Sequence, residues 1–93
     1  MVVGFATWEL HVQGCQSLKD KRRVLKSLKD RLHQKFNVSV AETAHQDLWQ
    51  RAELTCAVVS TDRRHAQEVL SSADRLVSES GLVRIIDSTT DFL

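Results

Sequence analysis

Between Ser17 and Lys35 the chain carries eight of its 13 basic residues, Lys19, Lys21, Arg22, Arg23, Lys26, Lys29, Arg31 and Lys35, and only Asp20 and Asp30 of its 12 acidic ones. The segment is +6 and the remainder −5, so a net charge of +1 conceals a dipolar molecule. Cations at this density suit one chemistry well. They hold phosphate oxygens, displace the condensed counterions of a nucleic acid and give an affinity that falls with salt. Lys19, Lys21, Arg22, Arg23 and Lys26 are the residues expected to carry it. Two other uses of the same charge stay open: solvating a helix surface, and meeting an acidic protein partner. Arg22 has a further internal use, its stem lying over the core edge and its head pairing with Glu42 or Asp47.

Catalytic chemistry has thinner support. His11, His33, His45 and His65 stand in different segments. Glu9, His11 and Cys15 offer a nucleophile with a base, but strand alternation weighs against the cluster. Glu42 and Glu53 read more simply as salt-bridge partners of Arg51 or Arg22 than as paired catalytic carboxylates. An enzyme working in a groove near Glu9, His11 and Glu42 therefore ranks behind a non-enzymatic binding domain. Cys15 and Cys56 lie 41 positions apart, which suggests neither a metal site nor a disulfide framework, and both are expected as free thiols in a reducing cytoplasm. No cofactor motif is present, and the opening apolar residues are interrupted by Thr7, Glu9 and His11 before they could serve as a membrane or export segment.

Six elements must position these residues. From Val2 to Val12 apolar residues recur with a period of two, the mark of a half-buried strand. Gln13 to Gln16 turn the chain, and Ser17 caps a helix with Asp20 completing an approximate capping box. Leu18, Val24, Leu25, Leu28 and Leu32 form the apolar stripe of that helix, with the cations around the remainder. Phe36 to Thr43 alternates as a second strand with Glu42 on its apolar parity, and His45 to Gln50 make a loop or a single helical turn whose Leu48 and Trp49 tuck back on the core. Trp8 and Trp49 are both expected as core anchors.

Arg51 to Thr61 has an apolar centre on both faces, as a central strand would. Ser60, Thr61 and Asp62 offer caps for a second helix whose stripe runs through Ala66, Val69, Leu70, Ala73, Leu76 and Val77, with Gly81 as its stop. A last strand spans Leu82 to Ile86 and extends toward Phe92. Two right-handed crossovers sharing one sheet predict a ferredoxin-like βαββαβ α+β sandwich, a single domain over residues 1–93, with antiparallel strand order 4-1-3-2 and both helices on one face. An OB fold would need a fifth strand, and a Rossmann unit a glycine-rich first turn.

Glu9-Leu10-His11, Ser17-Leu18-Lys19-Asp20-Lys21-Arg22, Phe36 to Glu42 and Asp47-Leu48-Trp49-Gln50, taken in this order, resemble the YlxP-like family of small bacterial proteins across nearly the whole chain. The resemblance implies the same ferredoxin-like fold. Genes of that family often lie beside those of translation initiation and ribosome maturation factors, which implies a place in ribosome assembly or RNA handling. The partner expected on these grounds is ribosomal RNA or a ribosome precursor.

Recognition by bases stacked on the open sheet would need aromatic residues on the first and third strands. Phe5 is available, but the third strand has none and the chain lacks tyrosine, so binding falls to the helix face. Val3, Phe5, Ala57 and Val59 point away from the helices and make an open face expected to be too apolar to remain wet. A homodimer would cover it, as would a terminal segment or helix. The alternative to RNA binding is thus an oligomeric protein-interaction module whose charged helix only solubilises it.

Overall fold

The computed structural model describes residues 1–93. In chain order it comprises β1 (Val2–His11), α1 (Leu18–Lys35), β2 (Ser39–Ala44), β3 (Arg51–Ser60), α2 (Arg63–Glu79) and β4 (Arg84–Phe92). The four strands pair antiparallel in the order β2-β3-β1-β4, the expected 4-1-3-2 arrangement named from the other edge. β1 and β3 lie at the centre in continuous register from Val2 opposite Ser60 to His11 opposite Arg51.

One parity of each central strand faces the helices. Ala6, Trp8 and Leu10 of β1 and Ala52, Leu54, Cys56 and Val58 of β3 are buried in a single core with Leu25, Leu28 and Leu32 of α1 and Ala66, Leu70, Ala73 and Val77 of α2. Both helices therefore cover the same face, leaving the other open. Trp8 ties the layers together: its ring is fully buried and its indole N–H donates to Asp74 Oδ1 of α2 at 2.9 Å.

The caps match the sequence logic. Ser17 Oγ accepts from the Asp20 N–H at 3.1 Å, while Asp20 Oδ2 accepts from the Gln16 N–H at 3.3 Å rather than from Ser17 itself. Asp62 caps α2 by accepting from the Arg64 N–H at 3.0 Å, and Gly81, with φ +74°, turns the chain out of it. Gly4 has another task. A Cβ there would lie 2.9 Å from the Phe92 ring and 3.1 Å from Leu70, so the missing side chain lets β4 end against β1.

Four expectations change. β2 begins at Ser39 rather than Phe36, because Phe36 is extended and donates its N–H to Leu32 O to close α1. Lys21, expected on the solvated face, is 1% exposed. Leu48 and Trp49 do not tuck onto the core; they are 47% and 51% exposed. The open sheet face is only partly apolar. Val3, Phe5, Ala57 and Val59 occupy one end, and beyond them Thr7, Thr55 and Thr43 join side chain to side chain, with Thr43 Oγ1 also donating to Glu53.

Candidate functional site

Lys21 is the hinge of the site. Leu18, Lys21, Leu25, Leu28 and Leu32 follow one another at steps of 3, 4, 3 and 4, which places Lys21 on the apolar stripe of α1. Its side chain runs inward across the corner where α1 begins and the β2–β3 loop passes. There Nζ donates to His45 O and Leu48 O, each at 2.6 Å, and lies 2.8 Å from Glu42 Oε2. The carbonyls take the directional bonds. Glu42 supplies opposite charge at a geometry short of a hydrogen bond, leaving Oε2 without a formal donor. Burying an isolated ammonium costs several kcal/mol, and these three oxygens offset that cost.

The loop so held is stiff. His45 has φ +65°, a left-handed conformation that a non-glycine residue adopts only where its surroundings hold it. Leu48 N–H donates to His45 O at 3.0 Å, and Gln50 O accepts from the Val12 N–H at 2.9 Å. The far side of His45 is also tied. Its Nε2 lies 3.1 and 3.2 Å from the two oxygens of Glu9, and Arg51 Nη2 donates to Glu9 Oε2 at 3.0 Å. Partial burial of Glu9 pushes its carboxyl up, but the hydrogen bonds and charges of Arg51 and His45 outweigh it and hold the carboxyl below its ordinary value. Beside this loop lies an open cleft of about 420 Å³ lined by Asp47, Leu48, Trp49, Gln50 and Arg51.

Of the five cations expected to meet phosphate, Lys19, Arg22, Arg23 and Lys26 are exposed and Lys21 is not. Lys21 is therefore withdrawn from the binding face, because its charge is committed inside. Arg22 pairs with neither Glu42 nor Asp47; that role belongs to Lys21 and Glu42. No carboxylate pairs with Lys19, Arg22 or Arg23, while Lys26 reaches Asp30 at 2.9 Å in an exposed pair. On the opposite side of the molecule Glu53, Glu9 and Asp87 stand in register across β3, β1 and β4, so the open sheet is acidic where α1 is basic.

The catalytic groupings do not assemble. Glu42 is paired with Leu54 on the helix side of the sheet, and Glu9 is paired with Glu53 on the open side, so the sheet separates them. His11 shares the parity of Glu9, but Cys15 is buried, and burial raises its thiol, as does the Asp20 carboxylate beside it. Cys56 is likewise buried and its thiol pushed up to about 11. A larger groove of about 520 Å³ lies between the ends of α1 and α2, but its Arg31, Lys35 and Arg75 are accompanied by Glu79, and it is remote from every grouping named above. No group of His, Cys, Asp and Glu is arranged to hold a metal ion, and no helix is long and apolar enough to cross a membrane.

Topology and layer order make this a ferredoxin-like α+β protein. The model of DUF503, a family described as proteins of unknown function, matches residues 3–90. A relative from Bacillus subtilis (strain 168), the uncharacterized protein YlxP, is 42% identical over 77 residues, covering 78% of this chain and 84% of its own. The chain belongs to this YlxP-like family. Among solved structures, SnoaB from Streptomyces nogalater, a cofactor-independent oxygenase, is 11% identical with a TM-score of 0.53, over 99% of this chain and 90% of that one. A de novo designed protein with a ferredoxin fold is 13% identical with a TM-score of 0.48, over 100% of this chain and 83% of that one. At such identities the SnoaB likeness speaks for the fold alone.

Proposed function

We propose that this protein is a non-enzymatic, cytoplasmic binding domain that associates with RNA, in ribosomal RNA or a ribosome precursor, through Lys19, Arg22, Arg23 and Lys26. The observation that supports it best is the state of those cations. All four are exposed within the first three turns of α1, three lack any acidic partner, and Glu53, Glu9 and Asp87 stand together on the opposite sheet face. The arrangement presents one basic side to a polyanion and turns the repelling side away. A titration of a ribosomal RNA fragment against salt tests it. Four phosphate contacts give a log–log slope of about −3 to −4. Reversing Arg22, Arg23 and Lys26 to Glu abolishes the binding; affinity unchanged by that reversal would overturn the reading.

A second reading concerns assembly. Val59 is 67% exposed at the apolar end of the open face, beside Val3, Phe5 and Ala57. A second copy packed there would form a homodimer and leave α1 free on the outside. Light scattering across a concentration series decides it: a monomer at every concentration removes the dimer, and Val59→Asp should dissociate it.

A further inference from the structure

We infer that Trp49, with Leu48, is a stacking platform for an unpaired base of the RNA whose phosphates α1 holds, a step that rests on the function proposed above. Three observations converge on it. The indole is 51% exposed and Leu48 is 47% exposed on one short loop, both outside the core cluster. That exposure is not slackness. Lys21 bonds two carbonyls of the loop, His45 is held left-handed between Lys21 and Glu9, and Gln50 is tied to Val12. The same lysine that fixes Leu48 O sits in the first turn of α1, directly before Arg22 in the chain, so the loop that carries the platform is bonded to the helix turn that carries the cations.

The chemistry then selects the occupant. A flat aromatic surface on a loop bonded to the helix turn that carries unpaired guanidinium and ammonium groups suits single-stranded RNA, which offers an unstacked base to the indole while its phosphates meet the cations. The cleft beside Trp49 also holds Asp47 and the carboxamide of Gln50, whose Nε2 donates to Cys15 O at 3.4 Å, which leaves its oxygen to accept from a base edge. A regular duplex has the phosphates but keeps its bases stacked, and would use the cations alone.

Fluorescence anisotropy with labelled oligouridine, and with a blunt-ended RNA duplex of equal phosphate number, tests this at about 50 mM salt. Trp49→Ala should weaken oligouridine binding roughly 5- to 100-fold, leave duplex binding unchanged and leave the salt slope as in the parent. Trp49→Phe, which keeps a stacking ring, should restore most of the loss, and a folded circular dichroism spectrum shows that the loop variant retains the domain. If the parent binds RNA with the expected salt slope while Trp49→Ala binds oligouridine equally well, the platform is overturned and the tip is left to an apolar protein surface. A parent that binds neither RNA at this salt overturns the proposed function and the platform together.

Discussion

His45 stands between two charge clusters that differ in little but their access to water. On its helix side the carbonyl meets Lys21, which also holds Leu48 O and Glu42. On its open side the imidazole meets Glu9, which Arg51 also holds. Each cluster joins a carboxylate to a cation at 3.0 Å or less. Yet the Lys21 side chain is 2% exposed and that of Arg51 is 45% exposed. Water reaches the cation of the second cluster freely and that of the first hardly at all, while the carboxylates Glu42 and Glu9 are alike at 20% and 24% exposed. A buried charge that loses its partner leaves an unsolvated ion, whereas an exposed one is rehydrated, so similar contacts carry different energetic weight.

The largest test of this contrast is Lys21→Met. The apolar stem of Met fits the stripe, but Glu42 loses its counter-charge and Leu48 O its donor, while His45 O keeps only the Leu48 N–H, and a destabilisation of about 3–5 kcal/mol is expected in urea denaturation. Adding Glu42→Leu removes the stranded carboxylate. The double variant should recover part of the loss, leaving about 1–3 kcal/mol for the unpaired Leu48 carbonyl. If Lys21→Met cost no more than a surface change, the buried side would not differ from the exposed one and the contrast would fail.

Glu9→Gln comes next. It keeps the shape and removes the charge that Arg51 and His45 face, and a loss of under about 1 kcal/mol is expected because both side chains can turn to water. The cluster should also show in pH. Its carboxyl is held below the ordinary 4.5, so the stabilisation is complete above that value and disappears as pH falls through the lower, folded one. Comparing stability at neutral pH with stability below pH 4.5, Glu9→Gln should flatten part of the acid-side decline. An identical acid profile in the variant would mean that Glu9 is held no more tightly in the folded chain than in the unfolded one.

Much of this was legible beforehand, and the failures have a common cause. Period-two and helical spacings gave every element, and the two-crossover order left few topologies, so the sheet order followed. Lys21 was misplaced because its type outweighed its position. It falls on the stripe between Leu18 and Leu25, and spacing alone would have put it inside. Its partner Glu42 carried the same signal, an acid on the apolar parity of β2. Trp49 had no such signal. An aromatic residue in a short polar loop reads as buried unless one knows that the loop's carbonyls are held elsewhere, and that depends on a lysine 27 residues away along the chain. The apolar open face was overestimated because Val3, Phe5, Ala57 and Val59 were read as typical of it, whereas three threonines and Glu53 occupy its middle.

The smallest effect on stability should come from the residue adjacent to the largest. Arg22 has the same charge as Lys21, follows it in the same turn, and points to solvent with no carboxylate against it. Arg22→Ala should change unfolding free energy by less than about 0.5 kcal/mol, with Lys19→Ala alike. The same substitutions should weaken RNA binding and each reduce its salt slope by about one phosphate contact. The pairing of results matters more than either alone. A helix whose charge served only to solubilise it would lose neither stability nor affinity at Arg22. If Arg22 supported the fold, stability and binding would be lost together. Only a surface kept free for a polyanion loses binding while stability stays.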